Sequence, residues 1–156
     1  MKFLCLRHHQ MFAKLSLNEQ NNLWMLWMEN AVTFCEKNNT EQMLAATGSA
    51  FDLACLARTE HPDCMQVELT LSAILVCRTL RDHGDHAAAD SVLFGAIESL
   101  QSAEPCYGSP SGWCSTDECI EVLLDPSRQP EFVTEYLNWP SFSSAYSVSQ
   151  PLAVAH

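Results

Sequence analysis

Basic side chains are scarce in this sequence: eight Lys and Arg stand against nineteen Asp and Glu in 156 residues, for a formal charge of −11. Such a balance repels a phosphate backbone and supplies no counterion release, which argues against DNA or RNA as a partner. Long apolar runs are missing as well. No uninterrupted stretch approaches the roughly twenty residues that a membrane span needs. The apolar start Phe3-Leu4-Cys5-Leu6 is broken by Arg7, His8 and His9, too early for a signal-peptide core. The expectation is therefore a cytoplasmic protein with no membrane partner, in which the eight cysteines stay reduced. Catalytic signatures are absent too: there is no Walker loop, no dinucleotide glycine fingerprint and no His-Glu-x-x-His helix. Gly108-Ser109-Pro110-Ser111-Gly112 places a proline where a nucleophile elbow needs its serine. A non-enzymatic role is expected.

What is present is an ordinary folding composition, 47% hydrophobic and 17% charged, at the size of one domain. The patterning is helical. Ser16 and Glu19 form a capping box ahead of a stripe through Leu23, Trp27, Ala31, Phe34 and Cys35. Asn39 caps a second helix that must end before His61-Pro62, because the residue preceding proline leaves the helical region. Asp63 is expected to cap a third, stopped by Gly84, and Asp85 to start a fourth that ends at Glu104-Pro105. Short turns between these elements imply antiparallel neighbours. A Cys, Gly, Ser and Pro-rich loop follows over 105–115, then short helices from Ser115 and from Pro130 to about Asn138. The expected organisation is one all-α domain over residues 1–140 with a loose serine-rich tail over 141–156.

The chain also repeats itself. A shift of 42 residues places Ala31 on Ala73, Cys35 on Cys77, Thr47 on Ala89, Phe51 on Leu93 and Ala54 on Ala96. Two helices per unit at such a period describe a helical solenoid, since one hairpin cannot cover its own apolar face. In the second unit, Ala73, Val76, Cys77 and Leu80, the Gly84-Asp85 turn, then Ala89, Leu93 and Ala96 resemble a tetratricopeptide repeat over residues 17–104. The resemblance implies a short stack of hairpins whose first helices line a concave groove holding a segment of another protein. The chain is also similar in size and charge to small acidic secretion chaperones with such repeats, which suggests an adaptor or chaperone-like role. Two hairpins are short for an array, so the helices after Ser115, or a second copy in a homodimer, would complete the stack.

Candidate site residues fall in two groups. Trp24, Trp27 and Met28 crowd one helix with more large apolar area than one face can hold, so they are expected either to meet a partner or to pack against the second helix. Cys5, His8 and His9, with Cys106, Cys114 and Cys119, supply donors that suit zinc. On that alternative Cys5, His8, Cys114 and Cys119 hold the ion in a regulatory domain; otherwise no cofactor is expected. Cys35, Cys55, Cys64 and Cys77 read as small buried hydrophobes. His83 and His86 read as turn residues beside Gly84.

Overall fold

The computed structural model describes residues 2–101, 115–137 and 139. Its elements are α1 (Leu6–Ala13), α2 (Leu17–Glu36), α3 (Thr40–Glu60), α4 (Gln66–Asp82), α5 (His86–Gln101) and α6 (Thr116–Leu124). A 3₁₀ turn over Pro126–Arg128 then leads into α7 (Gln129–Tyr136), and the described residues contain no strand. The chain is an all-α stack of antiparallel helices, as its periodicity implies. The loop with Cys106 and Cys114 and the tail over 141–156 lie outside the described residues.

Helix boundaries follow local chemistry. Ser16 and Glu19 close both arms of their capping box, each backbone N–H donating to the other's side-chain oxygen at 3.1 Å. Asn39 Oδ1 accepts from the Gln42 amide at 3.3 Å, Asp85 Oδ1 from that of Ala88 at 3.1 Å, and Ser115 Oγ from that of Glu118 at 3.2 Å. The two hairpin turns are built alike. Asn38 (φ 57°) and Gly84 (φ 81°) each take the left-handed conformation one residue beyond the helix cap. The Asn38 and Asn39 amides donate to Cys35 O and Phe34 O at 3.1 and 2.8 Å. The Gly84 and Asp85 amides donate to Arg81 O and Leu80 O, both at 2.9 Å. Each turn is thus a Schellman closure running directly into the next N-cap.

One boundary differs from the sequence expectation. Asp63 does not cap the third helix; α4 begins at Gln66, behind Met65 in the left-handed region at φ 59°. Two contacts hold the intervening turn out of the helix. Met65 is buried at 6% exposure, and Arg58 Nη1 donates to Cys64 O at 2.8 Å. The same guanidinium donates through Nη2 to Ser99 O at 3.2 Å, so one buried cation ties the α3–α4 turn to the end of α5. Burial draws its pKa below the usual arginine value, with nearby Cys119, Cys55 and Cys64 acting the other way.

α3 packs between α2 and α4, α5 lies along α4, and α6 rests on both α5 and α4. α4 is the central element: eleven of its seventeen residues are buried. Its hydroxyls are satisfied within the helix, Thr70, Ser72 and Thr79 donating to the carbonyls of Gln66, Glu68 and Leu75 at 2.7 to 2.8 Å. The 42-residue register holds in burial as well as in sequence. Ala31 and Ala73, Thr47 and Ala89, and Ala54 and Ala96 are all at 0% exposure. Cys77 Sγ reaches Ala89 O at 3.4 Å, a separation that only small side chains allow between α4 and α5.

α1 was not expected from the sequence, and none of its residues is buried. Long-range contacts fix this segment. The Phe3 and Leu4 amides both donate to the buried Asp52 carboxylate of α3, the second at 2.9 Å. The Phe3 ring occupies the space over Gly48, where a Cβ would meet ring carbon at 2.2 Å. Gln20 Nε2 donates to Phe12 O at 3.1 Å and holds the far end of α1.

Candidate functional site

The aromatic cluster of α2 is mostly interior. Trp24 and Met28 are 1% and 2% exposed, so they build the core and present nothing to a partner; Trp27 is half-buried, with Phe12 edge-on at 5.5 Å. The correction has a plain cause: α2 packs along α3, which encloses Trp24 and Met28, while Phe12 of α1 reaches Trp27 and Gln20. The polar atoms Gln20 Oε1 and Trp24 Nε1 are also enclosed there without a hydrogen-bond partner.

The candidate zinc donors divide. Cys5 Sγ and His8 Nδ1 lie 3.1 Å apart on the exposed surface at the start of α1, the imidazole stacked on Phe12 at 5.7 Å. Cys119 is sealed in α6 at 0% exposure, and Cys114 lies outside the described residues. Among the described residues no group of three or more His, Cys, Asp or Glu side chains is placed to hold a metal ion. The interior thiols are chemically quiet. Burial pushes Cys55 up to about 12 and Cys77 up to about 11 from an ordinary value of 9.0. His83 caps the end of α4 and His86 opens α5, both exposed beside Gly84.

The sequence implied a concave groove over the first helices of the hairpins, and what it did not indicate is which residues wall the surface that lies over α4. Its floor is α4, and the chain supplies both walls. On one side a groove of about 480 Å³ opens between Ile74 and Cys77 of α4, Leu93 of α5, and Leu124, Pro126 and Pro130 of the C-terminal segment. On the other, a recess of about 210 Å³ lies between Leu75 and Thr79 of α4, Cys35 at the end of α2, Met43 of α3, and Trp139. Arg78 and Asp82 line both. Arg81, at the mouth of the larger groove, pairs with Asp90 of α5 at 2.9 Å, an exposed ion pair that orients the side chain more than it stabilises the fold. The repeat and the small and apolar residues on α4 pointed to its floor, and neither marks the segment that lies over it.

Set against family models, curated proteins and solved structures, the chain matches none. The groove is apolar on its floor and charged at its edge, with Leu124 at 62% exposure on its rim.

Proposed function

We propose that the protein is a non-catalytic interaction module, adaptor or chaperone-like, that holds a segment of another protein over α4. The observation that carries this is the groove of about 480 Å³ between α4, α5 and the C-terminal segment, with an exposed leucine on its rim. The tetratricopeptide resemblance supports the same surface, since it assigns partner contact to the first helices of each hairpin, here α2 and α4. The matched burial of Ala31 with Ala73 and of Ala54 with Ala96 fits repeated units. A strongly acidic surface keeps such a groove soluble between encounters.

Replacement of Leu124 by Glu tests this. The side chain is exposed, so the fold should persist, while a charge at the rim opposes docking of an apolar anchor. The expected outcome is loss of the captured polypeptide with an unchanged circular dichroism spectrum. Capture that is indifferent to Leu124→Glu would contradict the assignment.

Zinc binding by a regulatory domain retains one supporting observation, the adjacency of Cys5 Sγ and His8 Nδ1 at 3.1 Å. Elemental analysis of untagged protein decides it: stoichiometric zinc that is lost in Cys5→Ser supports the ion, and metal-free protein with unchanged stability under chelation removes it.

A further inference from the structure

All nineteen acidic side chains lie from Glu19 onward, while residues 1–18 hold Lys2, Arg7 and Lys14 together with His8 and His9. An otherwise acidic chain thus carries one short basic segment, and the fold keeps it at the surface. Lys2, Arg7, His8 and Lys14 are exposed, and the Asp52 carboxylate that reaches the segment is engaged by the Phe3 and Leu4 amides. Within this patch sits a thiol. Cys5 is exposed, has an extended backbone (φ −72°, ψ 162°) and stands at the N-cap of α1. Its Sγ lies 3.1 Å from His8 Nδ1, and the imidazole is stacked on Phe12 at 5.7 Å with 14° between the ring planes.

A nucleophile within hydrogen-bond reach of a base, with the base oriented by a third group, is the arrangement that activates a side chain for attack. Here the first turn of α1 brings nucleophile and base together, since residues three apart share one side of a helix. The Phe12 stack holds the ring so that Nδ1 faces sulfur. The Cys5 side chain caps no amide of α1, so the first-turn N–H groups stay beside Sγ. They and the surrounding cations favour the negative charge that builds on sulfur as its proton leaves. Deeper thiols lack this setting. Cys119 is 0% exposed, and burial pushes Cys55 up to about 12 and Cys77 up to about 11.

We infer that Cys5 and His8 form a modification site, at which Cys5 takes up one half of a small anionic disulfide by thiol–disulfide exchange. His8 Nδ1 accepts the thiol proton as Sγ attacks one sulfur of the reagent. The reagent's S–S bond breaks, and the departing thiolate recovers the proton from the ring and leaves as a free thiol. Cys5 is oxidised to a mixed disulfide while half of the reagent is reduced, so no further oxidant is needed. The anionic class follows from the charge around the site, because this patch attracts carboxylates that the rest of the surface repels. Cys5 and His8 line neither recess over α4, so the inference is independent of the interaction-module reading.

The test uses the reduced full-length protein and oxidised glutathione at neutral pH, followed by mass spectrometry of the tryptic peptide Phe3–Arg7, which contains Cys5 and no other thiol. Cys5 should form the mixed disulfide about tenfold or more faster in the folded chain than in urea, and His8→Ala should remove that advantage. Free imidazole added to His8→Ala should restore part of it, a rescue that a merely structural role of His8 would not give. Added salt should slow the reaction with oxidised glutathione and leave that with uncharged hydroxyethyl disulfide unchanged. Equal rates in the folded and unfolded chain, or in His8→Ala and the unsubstituted protein, would overturn the inference. A His8→Ala rate that imidazole does not raise would do the same, and a common salt response for both reagents would remove the anionic class. A Cys5 that reacts only once a chelator is added is a metal ligand instead, and that result too would overturn the inference.

Discussion

Cys77 and Ala89 meet where α4 lies against α5, and their small size sets that separation. Replacing Ala89 by Leu forces extra volume into a fully buried site and should cost about 1–3 kcal/mol, read as a lower urea midpoint at unchanged slope. Two half-buried thiols add a pH dependence. The folded-state values of Cys55 and Cys77, about 12 and about 11, lie above the ordinary 9.0. Their contribution to stability is therefore complete below pH 9.0 and is lost as pH rises through those values. Thermal melts should move to lower temperature above that point, and Cys55→Ala should flatten the alkaline decline. A decline of unchanged steepness in Cys55→Ala would assign it to other groups. At this scale the sequence was informative: the small residues of the repeat and the apolar role of the half-buried cysteines are properties of single positions, legible without their neighbours.

The helices from α2 onward could be read from caps and breakers. Ser16, Asn39, Asp85 and Ser115 each cap the helix that follows, and Gly84 ends α4. What could not be read is what tertiary contact decides. Met65 takes the left-handed conformation because its side chain is drawn into the core, and no turn residue announces it. α1 lacks a buried face of its own and depends on Asp52, Gly48 and Gln20, all distant in sequence. Gly48→Ala exposes that dependence. The added Cβ collides with the Phe3 ring, while alanine favours the α3 helix itself by about 0.5–1 kcal/mol over glycine. The N-terminal segment should detach, seen as faster exchange of the Phe3 and Leu4 amides, with little change in the melting of the body. Unaltered exchange at both amides would show that the wedge over Gly48 is not what holds α1.

In the whole molecule, α4 is the hub on which both hairpins and the C-terminal segment converge. The sequence pointed to a groove over the first helices but placed its contact residues on Trp24 and Met28, which the structure puts inside. Periodicity marks which side chains are apolar. It does not mark which of them a later segment will cover, and the fold-back of α7 and Trp139 carries no periodic signal. The claim on which the account turns is that a foreign segment is held at the rim formed by Leu124. Its most direct measurement is site-specific photo-crosslinking in the native host, comparing a photoreactive residue at position 124 with one at Met11, which is exposed at 51% on α1 and lines neither recess. The prediction is one dominant protein adduct from position 124 that is absent from position 11. The same adducts from both positions, or none from position 124, would contradict it.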